Sequence, residues 1–407
     1  MGLAMADVSN DRVEEQVAEE EMSLGYAHYE DVDKEQLERD INAIKETMDP
    51  VGEADFQHLR KLERWGRMFT FGGYGLIIAM AIAGVMSGFG FWVLAVISAI
   101  GIGIGNVARW ADVVHPILHG AYDKVPNIPE RYTKKIFGKG ARRYIDWLDW
   151  IKPQAWEYEH NIMHHYHLGE TDDPDNVEKN LQWLIQSKTP MWLRYIIIYA
   201  FAGTWKYTYY APNTLRILEN KKNRDLQKLE VTDFELDPRK KNGLELWMEY
   251  LLPYIVIKFV LFPVLFAVIF GTTVGVNALI ILLMAEYVAN LHSFLVIVPN
   301  HSAEDIYMFN EPYQSTGEFY LRQIMGSVNY NTGSDFKDFV HGFLNYQIEH
   351  HLFPNMPHSY YQRMQPIVQD ICKKHNLEYR QESVFKRIGM SIDLMVGKTT
   401  LLRVDGA

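Results

Sequence analysis

The chain has 407 residues, a net charge of −11, 48% hydrophobic and 13% aromatic residues, yet a mean hydropathy of only −0.17. That mixture suits a few very apolar spans set among polar lobes, and the charge balance of residues 51–407 (36 basic, 36 acidic) argues against a nucleic-acid role for the body of the chain. A single cysteine, Cys372, excludes an intramolecular disulfide and any CxxC-based zinc, iron–sulfur or dithiol site.

All the excess charge lies in residues 1–50, with 15 acidic against 4 basic residues and neither the basic start nor the apolar stretch of a signal peptide. Such a composition predicts an acidic, mobile or loosely helical region over residues 1–60, with a short helix over 33–44. Removing residues 1–45 is expected to leave metal content unchanged. The remainder, 61–407, reads as a membrane domain.

No charge occurs between Arg67 and Arg109, a run of 41 residues. As helix it is about 61 Å long, twice the ~30 Å of a bilayer core, and its soft middle at Ser87–Gly90 predicts two spans, about 68–87 and 90–108. A second apolar stretch, uncharged from Phe259 to Ala285 and broken at Gly271-Thr272-Thr273, predicts spans at about 250–271 and 274–297. Between the two hairpins, residues 192–211 are aromatic and apolar but contain Arg194 and Lys206, which suits a helix lying at the membrane surface. The two inter-span turns carry no Lys or Arg, so both termini and every polar lobe are expected on the cytoplasmic side.

Two ionisable residues fall inside these spans. Glu286 is expected ~16 Å from the end of the fourth span and Lys258 ~12 Å into the third, at ~1.5 Å per residue. Two readings stand for Glu286: a protonated carboxyl bonded to a neighbouring helix, or a polar feature of a substrate tunnel. Lys258 is expected to snorkel to the cytoplasmic surface.

Most of the fifteen histidines cluster beside the spans. His115 and His119 share a helical face in VHPILHG; His160, His164 and His165 lie in EHNIMHHYH; His350 and His351 end NYQIEHHLFP; and His301 follows the fourth span in VPNHSAED. Imidazole suits iron, zinc and copper, and eight imidazoles exceed what one tetrahedral zinc needs and match two metals. The plainer reading of any single pair is a solvated helix face, but three boxes close to membrane entry points share no such explanation. His28, His58, His358 and His375 read as surface residues, and His167 and His341 as supporting or surface residues.

These motifs resemble those of the membrane-bound fatty-acid desaturase and hydroxylase superfamily over about residues 65–375. VHPILHG looks like its HxxxH box, EHNIMHH like its HxxxHH box with an Asp-rich continuation in GETDDPDNV, and NYQIEHHLFP like the QxxHH box of its front-end and acyl-lipid branch. The resemblance implies a mainly α-helical integral membrane protein. Four transmembrane helices, paired as two hairpins, would carry a cytoplasmic helical cap with a His-rich dimetal site. It implies two iron ions held by His115, His119, His160, His164, His165, His301, His350 and His351. Gln347, His292 and Asp175 are candidates for weaker or supporting roles, and Glu286 for the tunnel. His301 matches the family's histidine after the fourth span better than His292, which is expected ~7.5 Å inside that span.

The implied activity is dioxygen-dependent oxidation of a fatty acyl chain in a bacterial inner membrane or the endoplasmic reticulum. Desaturation comes first; hydroxylation and oxidative decarboxylation of a free acid are the alternatives. The acyl group could be carried as a CoA thioester, on a carrier protein, in a lipid or as a free acid. No HPGG motif and no flavin or nicotinamide fingerprint stands in the sequence, so electrons are expected from a separate ferredoxin or cytochrome b5 type protein. A His-rich metal transporter is the rival from another class. It would place its ligands at mid-bilayer, where only His292 lies within an apolar span.

Overall fold

The computed structural model describes residues 28–226 and 237–404. The chain divides into two interleaved units. Of the described residues, one comprises 28–55, 163–199 and 295–404; the other comprises 56–162, 200–226 and 237–294.

Among the described residues, four helices are long and apolar enough to cross a membrane: Glu53–Ala83, Gly88–Leu118, Lys241–Phe270 and Thr272–Asn300. They form two hairpins, as the hydropathy pattern predicts. The first turn lies at residues 84–87, three residues earlier than expected, because Gly84 and Gly88 adopt positive φ (71° and 77°) and set the bend there. The second turn is Gly271 alone, at φ 97°. All four spans meet in one core, where Ile77, Met80, Phe91, Ala95, Ala99 and Ile102 pack with Phe266, Val274, Ala278, Ile281, Leu282 and Ala285. A Cβ on Gly105 would stand 2.0 Å from Thr70 Oγ1, so glycine permits the close crossing of the first two spans. Phe89, Ile82 and Val268 point outward and are more than three-quarters exposed, as lipid-facing residues would be.

Wide π-turns interrupt the second and third of these helices at Arg109–Val114, Leu246–Leu251 and Val256–Leu261, and another, Lys206–Tyr210, precedes the helix Ala211–Asp225. Each directly precedes a segment whose second residue is proline: Pro116, Pro212, Pro253 and Pro263. A proline ring collides with the carbonyl four residues earlier and offers no N–H, and a locally wider turn relieves both faults. The π-turn at Glu159–His164 has no proline after it and carries two of the boxed histidines.

Lys258 is buried and does not snorkel. Its ammonium lies 3.1 Å from Glu286 Oε2, and Tyr254 Oη and Trp150 Nε1 each donate to that carboxylate at 2.5 Å. Asn290 Nδ2 donates to Glu286 Oε1 at 3.1 Å. Four donors around two oxygens are what an ionised carboxylate accepts, so the expectation of a protonated Glu286 gives way to a buried ion pair. Lys206, counted against a fifth span, is likewise buried and paired with Asp149 at 2.7 Å.

The first unit is built around short helices and two parallel strand pairs, Tyr307–Phe309 with Leu402–Val404 and Asn329–Tyr330 with Gln381–Glu382. Residues 34–47 form an amphipathic helix capped by Asp33, whose side chain accepts from Gln36 N at 2.9 Å. Leu37, Ile41 and Ile44 are buried, Tyr29 Oη donates to Glu318 at 2.5 Å, and Asp40 pairs with Lys374 at 2.6 Å. This part of the acidic region is therefore packed rather than mobile: its charges lie on one face and its aliphatic residues on the other, so the average composition hides an apolar stripe. Residues 1–27 lie outside the described part of the chain. The helix Met191–Ala202 is too short to cross a bilayer, at about 18 Å. Trp192, Ile196 and Tyr199 are each more than half exposed on it.

Candidate metal centre

In the second unit, His115 stands where the second span resumes α-helical winding after its π-turn, and His119 lies one turn on. His160 comes from the π-turn Glu159–His164. One ring nitrogen from each of the three lies within 4.8 Å of the others. His160 Nε2 is 3.1 Å from His115 Nε2. Two nitrogens each ~2.1 Å from one metal at tetrahedral or octahedral angles stand about 3.0–3.4 Å apart, so this pair has the spacing of one edge of a coordination shell. Trp156 stacks on His160 with ring centroids 4.6 Å apart and meets His115 edge-on at 5.5 Å, which holds both rings in place.

In the first unit, His164, His165, His301, His350 and His351 come together. Ring centroids lie 5.0 Å apart for His164 and His301, 4.5 Å for His301 and His351, 4.6 Å for His165 and His350, and 4.4 Å for His165 and His351. The ligand atoms of His164, His301 and His351 lie within 4.8 Å of one another.

Outward hydrogen bonds decide which nitrogen each ring presents. Nδ1 of His301 meets Gly326 O at 2.7 Å, Nδ1 of His351 meets Gln323 Oε1 at 2.9 Å, and Nδ1 of His164 meets Asp173 Oδ1 at 3.0 Å. Nδ1 of His350 meets Tyr361 Oη at 3.1 Å, and that hydroxyl in turn donates to Phe353 O at 3.2 Å. Acceptors on Nδ1 place the proton there and leave the lone pair on Nε2. Nε2 of His351 is buried without a hydrogen-bond partner among the described residues, a costly arrangement for a polar atom and the one expected of a metal ligand.

Burial favours neutral rings at His301 and His351. Burial, with His164 nearby, pulls His301 down to about 3, and burial with the neighbouring imidazoles pulls His351 well below the ordinary histidine value. At His164 burial works the same way, but the Asp173 carboxylate outweighs it and the value is raised. Neutral imidazoles with lone pairs directed to one place fit a divalent metal.

Gln347 lies beside the ligands: its Nε2 is 2.8 Å from His301 Nε2. The helix Gln347–Leu352 is fixed by Asn329, whose Oδ1 accepts from Ile348 N and whose Nδ2 donates to Glu349 Oε2, both at 2.8 Å. Asp175 lies 3.7 Å from His164 Nδ1, too far to bond it directly. His292 is half-buried on the fourth span and belongs to neither cluster among the described residues. His358, expected at the surface, is buried and stacked on Phe343 at 4.6 Å.

Sequence reading missed the residues that orient the ligands. Asp173 stands in the Asp-rich run after the second box, two positions from the residue chosen. Gln323, Tyr361 and the carbonyl of Gly326 carry no local signal, because only tertiary packing brings them to the imidazoles.

The sequence profile of the fatty acid desaturase family matches residues 90–383. Over 375 residues the chain is 24% identical to the NADPH-dependent stearoyl-CoA 9-desaturase of Mycobacterium tuberculosis, covering 89% of this chain and 79% of that protein. Shorter stretches are similar to Delta(8)-fatty-acid desaturase 1 of Arabidopsis thaliana (36% over 96 residues, 24% of this chain and 20% of that protein) and to the Delta(8)-fatty-acid desaturase of Borago officinalis (44% over 86 residues, 21% and 18%). With four apolar spans, two groups of mostly buried imidazoles among the described residues and a profile match over most of its length, the chain belongs to the fatty acid desaturase family and is an oxidoreductase.

Proposed function

We propose that this protein introduces a double bond into a fatty acyl chain with a pair of irons bound by His115, His119, His160, His164, His165, His301, His350 and His351. The observation that carries the reading is the outward hydrogen bonding of Nδ1 on four of the imidazoles, which sets the proton on Nδ1 and the lone pair on Nε2, the tautomer a metal ligand needs. Bound irons would supply the reductive activation of dioxygen. The balance is one –CH2–CH2– unit, O2, two electrons and two protons giving –CH=CH– and two waters.

The chain's own residues do the rest. Asp173, Gln323, Tyr361 and the Gly326 carbonyl hold ring tautomer and angle. Burial of the imidazoles keeps bulk water from the oxidising centre. Gln347, at the place of a further histidine, orients His301. The substrate class is a long-chain fatty acyl group, with the CoA thioester named in the Mycobacterium relative first to test. The two electrons come singly from a separate ferredoxin or cytochrome b5 type protein. Both termini and the imidazoles lie on the cytoplasmic side of the membrane, which the distribution of basic residues supports.

Incubation of iron-loaded protein in membranes with stearoyl-CoA, a reductant system and oxygen, followed by mass spectrometry, tests the reading. A product two mass units lighter with one new double bond is expected. A hydroxylated acid or a chain-shortened terminal alkene would assign the centre to another outcome.

A further inference from the structure

Several fully buried polar side chains of the first unit end in atoms that no hydrogen bond reaches. Arg387 Nη2, Tyr330 Oη, Ser327 Oγ and Asn300 Oδ1 each lack a hydrogen-bond partner among the described residues, although all four residues are shut off from the surface. Gln347 Oε1, on the residue that meets His301, is in the same position. Buried polar groups are almost always bonded, to protein or to ordered water, so a group of such ends in one neighbourhood marks a place built to hold water.

These ends come from separate segments that meet. Val328 N donates to Asn300 O at 3.0 Å, which sets Ser327 beside Asn300, and Asn300 Nδ2 donates to Leu344 O at 2.7 Å. Arg387 Nε lies 3.5 Å from Pro299 O, and the Arg387 charge acts on both the Tyr330 hydroxyl and the His301 ring. At the inner end, Gln347 Nε2 lies 2.8 Å from His301 Nε2. At the outer end, Arg387 Nη1 lies 2.6 Å from Asp305 Oδ2 and 3.8 Å from Glu382 Oε2, on side chains that are 22% and 27% exposed. Arg387 thus turns one nitrogen to a partly exposed acidic edge and the other inward.

We infer that Asp305, Arg387, Tyr330, Ser327, Asn300 and Gln347 line a string of ordered waters that carries protons from the solvent edge to the imidazole cluster and lets product water out. The inference rests on the desaturase reading: each turnover takes up two protons and forms two waters, and a centre closed to bulk solvent needs a route for both. A proton taken up at the Asp305 edge binds the first water, which passes one of its own to the next. The hydroxyls of Tyr330 and Ser327 each accept one proton and release one, so every member of the string ends with the charge it began with. Burial keeps the Tyr330 hydroxyl protonated by raising it well above the ordinary tyrosine value. Asp305 balances the fixed charge of Arg387, which would otherwise repel an incoming proton.

The water string is testable without metal. X-ray radiolysis splits bound water where it sits, so a buried ring beside such water is oxidised while a dry one is spared. In full-length, metal-free protein in lipid nanodiscs, Tyr330 should be oxidised at a dose that leaves the comparably buried Phe309 untouched. In iron-loaded protein, Tyr330→Phe and Ser327→Ala each remove one hydroxyl from the string. Both should lower kcat about tenfold or more and enlarge the solvent deuterium isotope effect, with iron per chain and KM for the acyl substrate unchanged. A Tyr330 as unreactive as Phe309, or two variants with unaltered kcat and isotope effect, overturns the inference. So does loss of iron from both variants, since the hydroxyls then hold the metal site rather than serve a path. A wild-type chain that binds no iron defeats the proposed function instead, and the radiolysis of metal-free protein still decides whether the string holds water.

Discussion

Lys258 and Glu286 form an ion pair inside the four-helix core, 3.1 Å apart, each contributed by a different hairpin span. Burying one charge alone would be far more costly than burying both, because only the pair and its Tyr254, Trp150 and Asn290 donors replace lost hydration. Lys258→Met should therefore destabilise the protein by about 3–5 kcal/mol, and Lys258→Met/Glu286→Leu by clearly less than the single change. Thermal unfolding in detergent measures both. A double variant worse than the single one would contradict the pairing.

Asp173 acts on metal only through His164. Asp173→Asn keeps the size of the side chain but removes the charge that meets Nδ1 at 3.0 Å. Metal affinity should fall by about 10–100-fold with the fold intact, as loss of such a supporting partner typically does. Competition with a chelator reads the affinity, and circular dichroism checks the fold. Unchanged affinity would leave His164 without a metal role.

Acid sensitivity should be visible at Asp40. Its hydrogen bond from Lys374, aided by His375 and Gln36, holds the carboxyl below the ordinary 3.8, at about 2. A carboxylate depressed on folding contributes stability fully above the unfolded value and loses it as pH falls through the folded one. The stability difference between wild type and Asp40→Asn should be constant from neutrality to about pH 4, then shrink towards pH 2. Denaturant titrations across that range decide; a difference that grows on acidification would refute the assignment.

The N-terminal helix gives a further test. Removing residues 1–45 takes away Tyr29, Leu37, Ile41 and Ile44, all buried, and the Asp40–Lys374 pair. Its docking partners include the helix Thr316–Met325, which carries the Gln323 that holds His351. Lower melting temperature and reduced metal content are expected. Full metal content after the deletion would show that this helix is dispensable.

Much of this was legible in the sequence because membranes impose simple rules. Uncharged runs of fixed length revealed the spans, and boxes of histidine at helical spacing revealed candidate ligands. What stayed hidden was pairing across distance. Lys258 and Glu286 are 28 residues apart, and nothing local says that one will neutralise the other. The helix over 34–47 was obscured by its own charge, since average composition is blind to a stripe of Leu37, Ile41 and Ile44. The π-turns before Pro116 and Pro253 follow from proline sterics, yet whether a helix widens, kinks or stops there depends on its neighbours.

Iron and zinc per chain, measured on purified wild type, His301→Ala and His292→Ala, tests the central claim most directly. His301 lies with His164 and His351, whereas His292 stands apart from both imidazole groups. The account predicts two irons in wild type, loss of one or both in His301→Ala, and retention of both in His292→Ala. A single zinc per chain in wild type, or iron lost from His292→Ala and kept in His301→Ala, would contradict it.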